Sequence, residues 1–127
     1  MAVGYLANAF DLLNVRDLDL IRQARGKCSR LVLGVFSDEF AERLYGRRPV
    51  VPLAERLALV SHVRGVDEVV THDFTPRAAD PDDVTFVVAG DLEFTDEASP
   101  VLLTPRRASR SPELRSALEP LAEDEVA

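Results

Sequence analysis

The sequence predicts an α/β domain built on a mainly parallel β-sheet. Two continuous apolar runs, residues 31–35 and 84–89, are typical of strands buried on both faces, which is how strands lie in a parallel sheet. Segments with helical apolar spacing alternate with the apolar runs. Such alternation favours right-handed crossovers within one layered domain. A chain of 127 residues suffices for a single hydrophobic core.

The first half of the chain contains two predicted strands and three predicted helices. Asn14 or Asp17 is the expected cap of the first helix, and Gly26 ends it. Pro52 stands just before the third helix, where proline is favoured. The predicted order is strand 3–6, helix 18–25, strand 31–35, helix 38–45 and helix 53–63.

The second half contains three predicted strands and one predicted helix. Two prolines and four acids within residues 72–83 favour an irregular connection. Ser111 and Pro112 are a favoured cap and first residue for the last helix. The predicted order is strand 68–71, strand 84–89, strand 101–103 and helix 111–121. We expect one domain over residues 1–118 and an acidic tail over residues 119–127.

Charge and composition argue against several classes of partner. The net charge of −7 disfavours binding to nucleic acid and to anionic membranes. No apolar run approaches the roughly 18 residues of a membrane span, and no signal peptide is apparent. The single Cys28 cannot form an internal disulfide. We therefore expect a cytoplasmic protein, since a reducing compartment fits this cysteine content.

The most informative segment is Phe10-Asp11-Leu12-Leu13-Asn14-Val15-Arg16-Asp17. It resembles the F-D-L-x-H-x-G-H signature of the cytidylyltransferase-like nucleotidylyltransferases. The scaffold half of the signature is present. The two histidines are replaced by Asn14 and Asp17, and the glycine between them by Arg16. The resemblance therefore implies the family fold. The side chains characteristic of the family's catalytic activity are absent from this segment.

Further pieces of the family pattern follow in order, and the succession is more specific than any single piece. They are the opening strand and turn at residues 4–11, an S-D-E-F helix start within 35–40 that resembles the family's S-x-D-E-F, a basic loop at 47–49, an E-R pair at 55–56, a V-D-E-V stretch within 63–69 and a G-D pair at 90–91. The resemblance implies a three-layer Rossmann-like domain that binds nucleotide beyond the carboxyl ends of its strands.

The resemblance also implies three groups of site residues. The catalytic positions are Asn14, Arg16 and Asp17. The nucleotide-binding positions are Asn8, Ala9, Phe10, Asp11, Gly90, Asp91, Arg106, Arg107 and Ser109. The positions expected to hold the substrate phosphate are Arg47, Arg48 and Arg56. No metal-ligand spacing is seen, and His62 and His72 are expected to be structural or surface residues.

The departures from the family pattern concentrate at the positions that carry the catalytic and nucleotide-binding residues in the family. Asn8 stands where the turn has a glycine, whose lack of a side chain lets the backbone approach a phosphate. The late R-T-x-G-I-S-T segment is only faintly echoed at residues 105–111. Removing one preorganised donor typically costs about 10²–10³ in rate. Asp17 would also direct a carboxylate toward a triphosphate.

Two functional hypotheses follow. The first is a noncatalytic or very weakly active binding or assembly module, with weak binding of CTP. The second is an active nucleotidylyltransferase that transfers CMP or AMP to a small phosphorylated alcohol or sugar, with Arg16 replacing a histidine and Mg²⁺ as cofactor. A third possibility is a partner for an active relative in a heteromer. By resemblance, we expect a homodimer.

Overall fold

The computed structural model describes residues 2–75, 77, 80–88, 101–106 and 117. Its elements are β1 (Val3–Asn8), α1 (Val15–Arg25), β2 (Arg30–Phe36), α2 (Asp38–Tyr45), α3 (Leu53–Ser61), β3 (Glu68–His72), β4 (Val84–Val88) and β5 (Val101–Leu103). The strands form one five-stranded sheet in the order β3-β2-β1-β4-β5, and all four pairings are parallel. The predicted three-layer Rossmann-like α/β fold is confirmed.

The order of the strands places a topological switch beside β1. After β1 the chain adds β2 and β3 on one side, and it then crosses back to add β4 and β5 on the other. Ligands of open parallel sheets bind beyond the carboxyl ends of the strands at such a point. The loop that follows Asn8, the last residue of β1, therefore lies at the position expected for a site.

One face of the sheet forms the hydrophobic core with α1 and α3. Leu6 of β1 stands beside Leu33 of β2 and Phe86 of β4, and all three are buried. Leu20 of α1 and Val60 of α3 are fully buried and belong to the same cluster. Because strand residues also face the second side of the sheet, β2 is buried along nearly its whole length, which explains its continuous apolar sequence.

Aromatic side chains cover part of the opposite face. Tyr5 extends from β1 across Gly34 of β2, and its hydroxyl lies 2.6 Å from Nδ1 of His72 on β3. A β-carbon at Gly34 would lie only 2.0 Å from the Tyr5 hydroxyl oxygen, so this position requires glycine. The rings of Phe36 and Phe40 pack beside His72. His72 thus has the structural role expected for it.

Several predicted boundaries need small corrections. The first helix begins at Val15 rather than at residue 18, because Asn14 caps it three residues earlier. The third helix ends at Ser61, so His62 lies just beyond it rather than within it. The predicted helix 111–121 lies outside the described residues apart from helical Ala117, as does the boundary between domain and tail. In the described part of the chain, no helix is both long and apolar enough to span a membrane.

Candidate functional site

The loop between β1 and α1 has an unusual backbone conformation. Phe10 has φ 51° and Leu12 has φ 55°, in the left-handed region that bulky residues rarely adopt. Such strain costs on the order of 1–3 kcal/mol per residue and persists only where the surroundings fix the conformation. The Phe10 side chain is buried in the core, which anchors the middle of the loop.

Asp11 fixes this loop to the segment before α3. Its carboxylate accepts hydrogen bonds from the backbone N–H groups of Val50 at 2.8 Å and Val51 at 2.9 Å, and the side chain is buried. Hydrogen bonds to a charged group contribute about 1.5–3 kcal/mol each. Asp11 was predicted to bind nucleotide, and the structure shows it joining two loops.

Arg56 of α3 is fully buried and connects the same elements. Its Nε donates to the carbonyl oxygen of Val51 at 2.8 Å, and Nη1 donates to the carbonyl oxygens of Ala9 at 2.9 Å and Phe36 at 2.6 Å. Nη2 donates to the carboxylate of Asp38, the first residue of α2. This position supports a structural role for Arg56; its expected contact with a substrate phosphate stays an untested prediction.

Asn14 and Asp17 occupy the two positions that correspond to the signature histidines. The Asn14 side-chain oxygen accepts from the backbone N–H groups of Arg16 and Asp17 and so caps α1. The Asn14 amide nitrogen donates to the Leu12 carbonyl oxygen at 3.0 Å and to the Asp17 carboxylate at 3.2 Å. Asp17 is buried. An amide has two donor hydrogens, so both donors of Asn14 have acceptors within the chain.

Asn8 lies at the end of β1, where the family turn has a glycine. Its side-chain oxygen accepts from the backbone N–H of Ala9 at 2.7 Å. The Ala9 carbonyl oxygen accepts in turn from Arg56. Both polar groups of the Ala9 backbone therefore have partners within the protein.

Comparison with known proteins identifies the family of this chain. A family model described as cytidylyltransferase-like matches residues 7–105. The chain belongs to the cytidylyltransferase-like family. The matched region extends from the end of β1 to the segment after β5, and so includes the strained loop, Asn14 and Asp17.

Similar proteins include cytidylyltransferases and longer bifunctional proteins. The chain is 35% identical over 94 residues to ethanolamine-phosphate cytidylyltransferase of Arabidopsis thaliana, covering 68% of this chain and 22% of that protein. It is 42% identical over 69 residues to the bifunctional protein HldE of Acidiphilium cryptum, covering 54% of this chain and 14% of HldE. The chain thus spans about a fifth or less of the length of these relatives.

A solved structure shares the fold. The crystal structure of the lipopolysaccharide core biosynthesis protein from Thermoplasma volcanium superposes with a TM-score of 0.65 at 17% identity, covering 86% of this chain and 99% of that chain. At this identity the likeness concerns the fold alone.

The remaining predicted site residues of this cytidylyltransferase-like domain are dispersed. Arg48 forms ion pairs with Glu42 at 3.0 Å and Glu39 at 3.4 Å, and the hydrogen bond with Glu42 raises the pKa of Arg48 above its usual value. Arg47 is exposed beside it. The backbone N–H of Arg106 donates to Asp19 on α1 at 2.8 Å. Predicted positions Gly90, Asp91, Arg107 and Ser109 lie outside the described residues.

Two carboxylates important to the site escaped the sequence analysis. Asp38 forms an ion pair with Arg56. The buried carboxylate of Asp19 accepts a hydrogen bond from the backbone N–H of Arg106. The hydrogen bond from the Arg106 backbone, with a smaller contribution from Gln23, lowers the pKa of Asp19. An acidic residue in the first turn of a helix, as Asp38 is in α2, is so common that its sequence position does not reveal a distant partner.

The described residues contain no ready metal site. Within them, no group of three or more His, Cys, Asp or Glu side chains is arranged to hold a metal ion. Asp11 and Asp17, the carboxylates nearest the loop, are buried and accept hydrogen bonds from the chain itself.

Proposed function

We propose that this cytidylyltransferase-like domain is noncatalytic or very weakly active and serves as a binding or assembly module. The observation that supports the proposal is the role of Asn14 and Asp17. Both amide hydrogens of Asn14 are donated within the chain, and the Asp17 carboxylate is buried against that amide. Neither position offers a free donor to a phosphate.

The physical argument concerns the transition state. Nucleotidyl transfer develops negative charge on phosphate oxygens, and preorganised donors or cations supply most of the stabilisation. Loss of two such donors costs on the order of 10⁴ in rate, although effects of this kind are not additive. Asp17 adds a carboxylate where the family has a histidine. The hydrogen bonds of Asp11 and Arg56 stabilise the conformation of the loop. In this proposal the fold is therefore retained although the catalytic donors are absent.

One observation favours the alternative, an active nucleotidylyltransferase. Arg16 lies in the first turn of α1 between the two altered positions, and its side chain has no ion pair among the described residues. A guanidinium is permanently charged and matches phosphate geometry. In this alternative Arg16 stabilises the transferred phosphoryl group in place of a histidine.

Pyrophosphate release separates the two functions. The wild-type protein is incubated with CTP or ATP, Mg²⁺ and a panel of phosphorylated alcohols and sugars. We expect no release above background. If release occurs and Arg16→Gln abolishes it while the exposed control Arg64→Gln does not, the alternative is correct.

A CTP titration tests the state of the cleft directly. By calorimetry we expect wild-type binding no tighter than about millimolar, equivalent to roughly −4 kcal/mol. The triple variant Asn14→His, Arg16→Gly, Asp17→His should bind CTP more tightly, because two phosphate-facing donors return and a carboxylate is removed. Micromolar binding by the wild type would contradict the proposal.

The proposal includes a cytoplasmic homodimer. The resemblance to the family supports the dimer, and the single cysteine is compatible with a reducing compartment. Sedimentation velocity over a range of protein concentrations measures the assembly. A monomer at all concentrations would refute this part of the proposal and leave the catalytic part intact.

A further inference from the structure

A crevice lies along α1 and begins at Asp19, two residues after the end of the signature segment. It has a volume of about 330 Å³ and is lined by Asp19, Arg22, Gln23, Gly26, Lys27 and Arg106. The signature positions are at the start of α1, whereas Lys27 follows its end. The 11 residues of α1 separate the two by about 16 Å at 1.5 Å per residue.

Hydrogen bonds donated to a buried carboxylate fix one wall of the crevice. Asp19 is 5% exposed and accepts from the Arg106 backbone at 2.8 Å and from the Gln23 side chain at 3.0 Å. Gln23 also donates to the carbonyl oxygen of Thr104 at 2.9 Å. The segment after β5 is thereby held against α1, and the negative charge of Asp19 is balanced by donors within the wall.

Three cations surround the crevice. Lys27 is the only lysine of the chain. Neither Lys27 nor the Arg106 guanidinium has an ion pair among the described residues, and the recorded pair of Arg22 is a long one, 3.9 Å to Asp19. Nearby Arg25 instead pairs with Asp67 at 2.6 Å. A chain of net charge −7 has many acidic residues that could pair with these cations. The three cations nevertheless lie together with little neutralisation by close ion pairs.

We propose that this crevice binds a small anionic molecule carrying a phosphate group. Arg22 and Arg106 supply planar donors that match phosphate oxygens, and Lys27 supplies a point charge. The volume is at the lower end of the range of small-molecule sites. Arg106 is also a position that the resemblance assigns to nucleotide binding, whereas Arg22 lies farther along α1 and Lys27 follows its end, both outside the signature. A phosphate site built on these two side chains therefore goes beyond the proposed function.

If these cations have only a structural role, no specific binding of phosphate is expected. Cations near the last turn of a helix complement the negative end of its dipole, and Arg22 and Lys27 are placed to do so. In that role they stabilise α1 without selecting any solute. Phosphate should then have no more effect than chloride at the same ionic strength.

The single lysine allows occupancy to be measured directly. Wild-type protein is treated with an amine-acylating reagent in the presence of inorganic phosphate, pyrophosphate or glycerol phosphate, with chloride at matched ionic strength as the reference. The rate of Lys27 modification is followed by mass spectrometry. Nα-acetyl-lysine in the same tube corrects for consumption of the reagent.

We expect Lys27 to be protected about tenfold when the phosphate compound is present at about ten times its dissociation constant. Arg22→Gln, at an exposed side chain, should abolish most of the protection, as should Arg106→Gln, which keeps the backbone bond to Asp19. The control Arg64→Gln should retain it. Equal modification in phosphate and chloride, or protection unchanged in both crevice variants, overturns the proposal.

Discussion

Replacing Arg56 with methionine tests whether the buried guanidinium holds the site together. Methionine retains much of the apolar stem but removes the charge and every donor. Arg56 joins the end of β1 through Ala9, the end of β2 through Phe36 and the start of α2 through Asp38. Its loss leaves carbonyl oxygens without this donor and, among the described residues, leaves the partly exposed Asp38 with only its longer contact to Arg48, at 3.7 Å.

The expected magnitude is large for a single substitution. Buried carbonyl oxygens left without a donor cost about 1–3 kcal/mol each, so losing the bonds to three carbonyl oxygens and the pairing with Asp38 should cost about 3–5 kcal/mol in total. The total stability of a domain is about 5–15 kcal/mol, so Arg56→Met should remain folded but with reduced stability. With a urea m-value of about 1–3 kcal/mol/M, the unfolding midpoint should fall by roughly 2 M.

Urea unfolding followed by circular dichroism is the assay, with Arg64→Met as the matched control. Arg64 is exposed and has no ion pair among the described residues, so its midpoint should stay close to that of the wild type. Arg56→Lys should lie between the two, because it keeps the charge but loses the planar fork. A midpoint for Arg56→Met equal to that of Arg64→Met would refute the structural role and return Arg56 to the candidates for phosphate binding.

Three further predictions use the same unfolding assay. Asn14→Ala should cost about 1 kcal/mol through loss of the cap, whereas Asn14→Ser should retain most of the stability; equal stability of both variants would contradict the cap. Burial lowers the pKa of His72, so the unfolded chain binds this proton more readily and stability falls as pH drops below about 6.5. His72→Gln should flatten that fall below about pH 6.5; a profile identical to that of the wild type would exclude His72 as the cause. Gly34→Ala should lower the free energy of unfolding by about 1–3 kcal/mol, because the added methyl group clashes with Tyr5. In a double-mutant cycle, Tyr5→Leu should recover part of this loss, and additive effects of the two substitutions would contradict the clash.

The elements of the fold could be predicted from local sequence. Helix α2 and strand β5 have the predicted bounds, and the apolar runs identified β2 and β4. Burial on both faces of a parallel sheet imposes a continuous apolar sequence, which can be recognised without any knowledge of the fold. The predicted start of α1 was three residues late because a cap depends on hydrogen bonds, and both Asn14 and Asp17 have side chains able to form them.

The sequence by itself determined the α/β class and the order of most elements, and through the resemblance it predicts that Asn14 and Asp17 replace the signature histidines. Only the tertiary structure decided what the substituted site residues do. The partners of Asp11 lie 39 and 40 residues away, and those of Arg56 are up to 47 residues away. Tyr5 meets His72 across 67 residues. An acid or an arginine in a sequence indicates a charge and a set of donors or acceptors, but its partner is selected by the packing of segments distant along the chain.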